Sequence, residues 1–318
     1  VGAFIIRRLF GMILVLLAVS FIVYLIFIVI PGGDPALRIA GRTATPANIA
    51  SIKRNLGLDQ NFVVQWWDML KLLFTGQLVS YYNSTNVVQQ IKDGIPVTFS
   101  LAIGAGIIWM GFGILVGTIS AVKAGQVSDR LITAFALIGI SLPVAWLGLL
   151  FRYFLAGEKG WPALFPDGGY VPLTTNPAEW FYHMLLPWFT LAILFIGFYG
   201  RVLRSNILDT INEDFVRTAK AKGLTSQRIL RKHVLRASLI PIVTLFGLDF
   251  AAVLGGGAII TEVVYSLPGV GFYAAQSIAQ QDLPPLMGVT LFGAFFIVVF
   301  TLLVDIAYAY LDPRIRLN

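Results

Sequence analysis

Three charged residues interrupt otherwise apolar runs: Arg152, Asp249 and Asp305. A charge at the centre of a helix in hydrocarbon costs at least about 2.5–3.5 kcal/mol, so a chain keeps one there for pairing, assembly or passage of a solute. Asp249 carries two readings: it lines a pathway and attracts an amine, or it pairs with a neighbouring helix. Other residues capable of chemistry are sparse. His183 and His233 stand alone, without Cys, His or acidic neighbours at metal-ligand spacing, and are expected to be structural or surface residues. The chain has no cysteine, which excludes disulfides and thiolate metal sites. No G-x-x-x-x-G-K run followed by Ser or Thr is present, so the chain is not expected to hydrolyse ATP itself. No serine sits in a nucleophile elbow. No catalytic, cofactor-binding or metal residue is expected in this chain.

A second kind of chemistry lies in Asn212–Arg236, which is polar and strongly basic. Asn212 suits an N-cap, and Glu213 and Asp214 suit a first helical turn. Phe215, Val216, Ala219 and Leu224 are its few apolar residues. Gly223 permits the left-handed conformation that ends a helix. Thr225 then caps a second helix through about Arg236. The segment reads as two short helices meeting at a glycine. A short helix that exposes Phe215 and Ala219 needs something to cover them. The competing reading is that the basic run binds anionic headgroups, at about 1 kcal/mol per Lys or Arg.

The elements that position these residues are membrane spans. Of 318 residues, 57% are hydrophobic and 12% charged, against about 25% charged in soluble domains. The apolar residues fall in blocks near Leu9–Ile30, Phe99–Val122, Leu131–Leu155, Leu185–Val202, Leu239–Ile260 and Met287–Leu311, each close to the roughly 20 residues a spanning helix needs. The fold class is therefore an all-α membrane protein with six transmembrane helices. Arg7 and Arg8 precede a first run too long for a signal peptide, which reads as a retained helix. Lys and Arg cluster before helix 1, between helices 2 and 3, between helices 4 and 5 and after helix 6, which places both termini and the Asn212–Arg236 segment in the cytoplasm. The net charge of +7 thus has a membrane explanation, and no nucleic-acid partner is expected.

Residues 31–97 carry Arg38, Arg42, Lys53, Arg54, Lys71 and Lys92 on the opposite side, as long loops do. They form a small external domain with helices expected from Pro46 to Leu56, ended by Gly57, and from Phe62 to Phe74, ended by Gly76. Trp66, Trp67 and Leu70 either lie on the membrane surface or pack this domain together. Gly157–Asn176, rich in Gly and Pro, reads as an external loop. Gly255–Gly257 is a packing seam or a hinge. The domains are residues 1–30, the first transmembrane helix with a cytoplasmic N-terminus; 31–97, the external domain; and 98–318, a five-helix core with a cytoplasmic coupling loop at about 203–238.

The run D-F-V-R-T-A-K-A-K-G-L-T, Asp214–Thr225, resembles the cytoplasmic signature loop of ABC importer permeases, in the form found in dipeptide, oligopeptide and nickel permeases. Arg217, Thr218 and Ala219 occupy the places of Glu-Ala-Ala in the general importer pattern, and Gly223 the place of its Gly. The pattern's Pro thirteen residues later is replaced by Arg236, with Pro241 following. The ordered set extends along the chain: Arg7-Arg8, Pro31-Gly32-Gly33-Asp34-Pro35, Leu56-Gly57-Leu58-Asp59, Gly255-Gly256-Gly257-Ala258, Glu262, Pro268-Gly269-Val270-Gly271, Asp282-Leu283-Pro284, Leu303-Val304-Asp305 and Leu311 to Arg316. The N-terminal half is similar to the longer, B-type permease. Gly33 is inserted into the usual Pro-Gly-Asp-Pro, and Gly-Asp-Leu-Gly-x-Ser becomes Gly76-Gln77-Leu78-Val79-Ser80.

The resemblance implies a multi-pass subunit of a bacterial or archaeal cytoplasmic (inner) membrane, carrying di- or oligopeptides inward by alternating access. Its partners would be a second homologous permease, two P-loop ATPase subunits that bind ATP and Mg, and an external substrate-binding protein. The coupling residues would be Asp214, Phe215, Arg217, Thr218, Ala219, Lys220, Ala221, Lys222, Gly223 and Leu224. Phe215, Ala219 and Leu224 would fill a groove on the ATPase, Lys220 and Lys222 would form its rim, and Gly223 would set the bend. Asp249 and Glu262 are the candidate pathway residues, and Asp305 is expected in packing or assembly. Alternatives are an importer of nickel chelates or other small solutes, a stand-alone secondary transporter using Asp249 and Asp305, and an assembly factor without transport.

Overall fold

The computed structural model describes residues 2–26, 36, 45–55, 59–156 and 164–311. Gly33, Arg38, Arg42 and Gly57, among the residues discussed above, lie outside this set. The described residues are helical, with isolated bridges between Val79 and Asn86 and between Ala156 and Phe165. In chain order the helices are α1 Gly2–Tyr24, α2 Pro46–Asn55, α3 Phe62–Phe74, α4 Val87–Val122, α5 Val127–Ser141, α6 Val144–Leu155, α7 Pro177–Thr210 and α8 Asp214–Ala221. They continue as α9 Ser226–Gly257, α10 Ile259–Val264, α11 Val270–Gln280 and α12 Leu283–Leu311. Four of these, α4, α7, α9 and α12 (as Leu283–Val304), are long and apolar enough to cross a membrane. The bent pair α5–α6 is a fifth candidate, and α1 has a shorter apolar stretch, Leu9–Tyr24.

Two spans are longer than their apolar blocks. Asn86 caps α4 by accepting from Gln89 N–H at 2.9 Å, and Asn176 caps α7, where Pro177 follows at the first helical turn. At 36 and 34 residues these helices measure about 50 Å, against about 30 Å of hydrocarbon. Their ends therefore stand outside the bilayer and carry polar chemistry there. Pro96, Pro187 and Pro241 lie inside helices without ending them, as prolines do in membrane helices whose neighbours satisfy the freed carbonyls.

The third apolar block is not one straight span. It breaks into α5 and α6, bent by 102°, at Leu142-Pro143. Pro143 has no N–H and pushes the residue before it out of helical geometry; Leu142 has φ −81° and ψ 129°.

The α4–α7 pair forms the central packing, with α5, α6 and α9 against α7. Small residues permit the approach: a Cβ on Gly117 would lie 2.7 Å from the Gly200 carbonyl oxygen, the close contact that membrane helices use in place of a hydrophobic driving force. Trp109, wholly buried, fills the adjoining space against Phe195 at 4.4 Å between ring centroids. Gly255 and Gly293 repeat the close contact between α9 and α12, where a Cβ on Gly293 would meet Gly255 O at 2.5 Å. Gly256, at φ 137°, breaks helical geometry in the last turn of α9. The triple glycine thus packs at one residue and breaks the helix at the next.

A separate apolar cluster joins α1, α3, α4, α11 and α12. Trp66 donates to Ser20 Oγ at 3.1 Å and its ring lies 5.3 Å from Phe21; Leu70 is buried while Trp67 is exposed. Trp66 and Leu70 therefore pack α3 on α1. The turn following α3 is held by Asp282, whose carboxylate accepts from Ser80 Oγ and, at 3.0 Å, from Tyr81 N–H.

Candidate functional site

The helix α8 is amphipathic over barely two turns. Val216 and Ala219 face inward and are buried, in one apolar cluster with Ile207 of α7 and Ile229 and Val234 of α9. Phe215, Arg217, Thr218, Lys220, Ala221 and Lys222 are exposed. The cap falls at Glu213, one residue beyond the expected Asn212; Asn212 instead donates to Leu208 O at 3.1 Å. Asp214 pairs with Arg217 at 3.3 Å, but both are so exposed that the pair adds little stability.

Gly223, at φ 75°, closes α8. Leu224 N–H donates to Ala219 O at 3.3 Å and Gly223 N–H to Lys220 O at 2.9 Å. These are the paired bonds of a Schellman turn, in which a left-handed glycine satisfies the last carbonyls of a helix. Thr225 stands at the N-cap of the next helix, but the expected short second helix does not end at Arg236. It runs on as α9, with a π-turn at Leu230–Val234, because nothing between Arg236 and Leu239 breaks a helix. Nor do Phe215, Ala219 and Leu224 form one exposed face. Ala219 is buried and Leu224 half-buried against the body, so only Phe215, 43% exposed, is offered outward.

Polar bonds tie this unit to the spans. Ser238 Oγ contacts Asn206 O at 3.2 Å and Thr210 Oγ1 at 3.1 Å, and Asn206 Nδ2 donates to Ser238 O at 3.4 Å, joining the end of α7 to the start of α9. Arg204 grips Asp129 in the first turn of α5 through two bonds of 2.8 Å. The same carboxylate accepts from Ser120 Oγ and, at 2.9 Å, from Gly125 N–H. Asp129 thus fastens α4, α5 and α7 next to the α8 unit. The sequence reading missed it; its signal was a lone acid in the basic stretch from Lys123 to Arg130.

The pathway candidates part company. Asp249 is half-buried on α9 and accepts from Tyr199 Oη of α7 at 2.7 Å. Glu262, the other candidate, is fully buried. It lies in α10, beyond the end of α9. Its Oε1 accepts from Thr98 Oγ1 at 2.7 Å and its Oε2 from Phe272 N–H at 2.8 Å. Thr98 Oγ1 in turn accepts from Val270 N–H at 2.9 Å. Glu262 is a clamp on the Pro268–Gly271 turn, and burial pushes its carboxyl up to about 7. Arg152 is held by Asp167, at 2.7 Å from Nε, and by Val264 O, at 2.6 Å from Nη1; its guanidinium keeps the Asp167 carboxyl below the ordinary range. His183 Nδ1 lies 3.0 Å from Gly168 O, a structural contact. Asp305 lies in α12, but its side chain is outside the described set.

The described residues thus form an all-α bundle with a short helix mounted between two of its candidate spans. A solved structure of the MetNI methionine ABC transporter in an inward-facing conformation shares the fold with a TM-score of 0.51, at 17% identity, over 72% of this chain and 97% of that one. Residues 113–317 match the family described as binding-protein-dependent transport system inner membrane component, and residues 2–102 match the N-terminal family of the same transport systems. A putative peptide transport system permease protein of Brucella abortus is 37% identical over 315 residues, 99% of each chain. The dipeptide transport system permease protein DppB of Alkalihalophilus pseudofirmus is 33% identical, again over 99% of each. The glutathione transport system permease protein GsiC of Pectobacterium atrosepticum is 35% identical over 98% of each. The chain belongs to the family of binding-protein-dependent transport system inner membrane components, and it is an ABC importer permease. The resemblance carried by Asp214–Thr225 and the ordered motifs is thereby borne out.

Proposed function

We propose that this chain is one of two transmembrane subunits of an inner-membrane importer for di- or oligopeptides, driven by separate ATPase subunits that bind ATP and Mg. In this reading six helices span the membrane: α1, α4, the α5–α6 pair, α7, α9 and α12. Both termini and α8 lie in the cytoplasm, residues 31–97 form an external domain, and residues 98–318 form the core. A binding protein delivers the peptide from outside to this subunit and its homologous partner.

The observation that carries the reading is the mounting of α8. A short helix whose inner face, Val216 and Ala219, is sealed to α7 and α9 moves with those spans. Its outer face offers Phe215 with Lys220 and Lys222. An exposed aromatic between cations suits a groove with an apolar floor and an acidic rim. ATP-driven closure of two ATPase subunits would push α8 and, through the Gly223 turn, reorient α9. Asp214, Arg217, Thr218 and Ala221 complete the docking surface, while Ala219 and Leu224 anchor it from behind. Asp249 faces the translocation pathway and attracts the amino group of a peptide. The peptide names of the relatives support the cargo.

The test is purification of the chain from its native membrane in mild detergent, with every co-purifying protein identified by mass spectrometry. A P-loop ATPase and a second permease are expected. An intact complex holding this chain alone would overturn the reading. Gly223→Pro should insert normally yet separate ATP hydrolysis from uptake.

A further inference from the structure

A cavity of about 780 Å³ opens between α1, α3, α4 and α12, away from α8 and from Asp249. Its volume is that of a small-molecule site. Its wall is almost wholly apolar, built from residues such as Ile13, Leu17, Leu70, Ile91, Leu291 and Phe295. Two cations break the pattern, Lys71 of α3 and Lys92 of α4.

Bonds between elements place both at one end. Asn86 Nδ2 donates to Gly76 O at 2.6 Å and Val87 N–H to Leu78 O at 2.9 Å, so the end of α3 lies beside the start of α4. Gly288, early in α12, is there too, since a Cβ on it would come 2.9 Å from Val87 Cγ1. Ser20 is held near by Trp66. From this end the cavity follows α12 from Gly288 to Phe295 and α1 from Ser20 to Ile13, about 10 Å of helix. One end is cationic and the other end is hydrocarbon.

Such a cavity fits an amphiphile. We infer that it is a binding site for an anionic phospholipid, with an acyl chain between α1 and α12 and the phosphate against Lys71 and Lys92. Lys71 is available for exchange: its 3.0 Å pair with Asp68 is largely exposed on both sides, so solvent screens it. Lys92 is exposed and has no ion-pair partner among the described residues. Trp67, 6.0 Å from Lys71 Nζ, and Phe74 are exposed beside them, as aromatic rings are at the headgroup level. A peptide would find little to bond. Ser20 Oγ already donates to Leu17 O at 2.7 Å, and Thr75 Oγ1 to Lys71 O at 2.8 Å.

The test uses the full permease complex in nanodiscs, with phospholipid brominated along its acyl chains to quench nearby tryptophan. Trp67 is read as the difference between the wild type and Trp67→Phe. Brominated phosphatidylglycerol, at low mole fraction in phosphatidylcholine, should quench Trp67 at roughly fivefold lower content per lysine engaged than brominated phosphatidylcholine. K71Q/K92Q should lose the preference and K71R/K92R should keep it. Equal quenching by the two lipids in the wild type would overturn the inference, because the cavity would then hold only bulk lipid. Displacement by millimolar inorganic phosphate would also overturn it, by identifying a free-anion site.

Discussion

Thr98 and Glu262, 164 residues apart, share a 2.7 Å hydrogen bond, and through it the Pro268–Gly271 turn is locked to the first third of α4. A Cβ on Gly269 would fall 2.4 Å from Glu262 Oε2, so the turn is wrapped on the carboxylate without space to spare. The burial that makes this clamp tight also raises the carboxyl from 4.5 to about 7.

The first prediction rests on that shift. Between pH 4.5 and about 7 the folded state binds more protons than the unfolded state, so stability falls as pH rises through this window and levels off above it. The full effect is on the order of 3 kcal/mol. Thermal unfolding of the detergent-solubilised complex across pH 4.5–8 should show the decline, and Glu262→Gln should flatten it. An unchanged slope in that variant would remove Glu262 as the cause.

Phe215 and Val216 are adjacent and should behave oppositely. Phe215→Ala should leave the melting temperature unchanged and weaken association with the ATPase by about ten- to a hundredfold, the worth of one buried aromatic side chain at about 1.5–3 kcal/mol. Val216→Ala should destabilise the subunit, because Val216 is already buried in its own body. Titration of purified ATPase onto the reconstituted permease, beside thermal melts of each variant, measures both.

Asp129 and Arg204 should show strong non-additivity. D129N and R204Q each leave a polar partner without its match, so each should lower thermal stability. The double variant should lose clearly less than the two together, since residues in one hydrogen-bonded network do not act independently. A double-mutant cycle on melting temperature decides it, and simple additivity would contradict the pairing.

Asp249→Asn should reduce uptake of peptides with a free amino terminus about tenfold in proteoliposomes, with smaller losses for amino-blocked peptides. Tyr199→Phe removes only the 2.7 Å bond and should lower uptake of both kinds equally. Equal loss for both kinds in D249N would instead make Asp249 a packing residue.

The spans were legible because hydrocarbon imposes a composition that no other environment requires. Their ends were less so. The apolar block suggested Phe99 as the start of a helix that begins at Val87, since polar residues from Gln89 to Asp93 continue the helix outside the bilayer. The break at Pro143 was hidden because Pro187 and Pro241, equally apolar in context, sit inside continuous helices; neighbouring contacts decide which proline ends a helix. The Asp214–Gly223 segment was readable from an acidic start, a glycine stop and a few apolar residues. Its inward and outward faces were not, because eight residues admit several registers. The Arg204–Asp129 and Thr98–Glu262 contacts join residues 75 and 164 positions apart, and only the packing brings them together.

The Schellman turn at Gly223 leads into α9, and α9 ends at Gly257, five residues before Glu262. Over 32 residues this is a rod of about 48 Å. A rod of that length works as a see-saw: a tilt of about 10° about its middle carries each end roughly 4 Å in opposite directions. In the proposed coupling role, a modest stroke delivered at the Phe215 end would be returned at the Gly257 end with like amplitude and opposite sense.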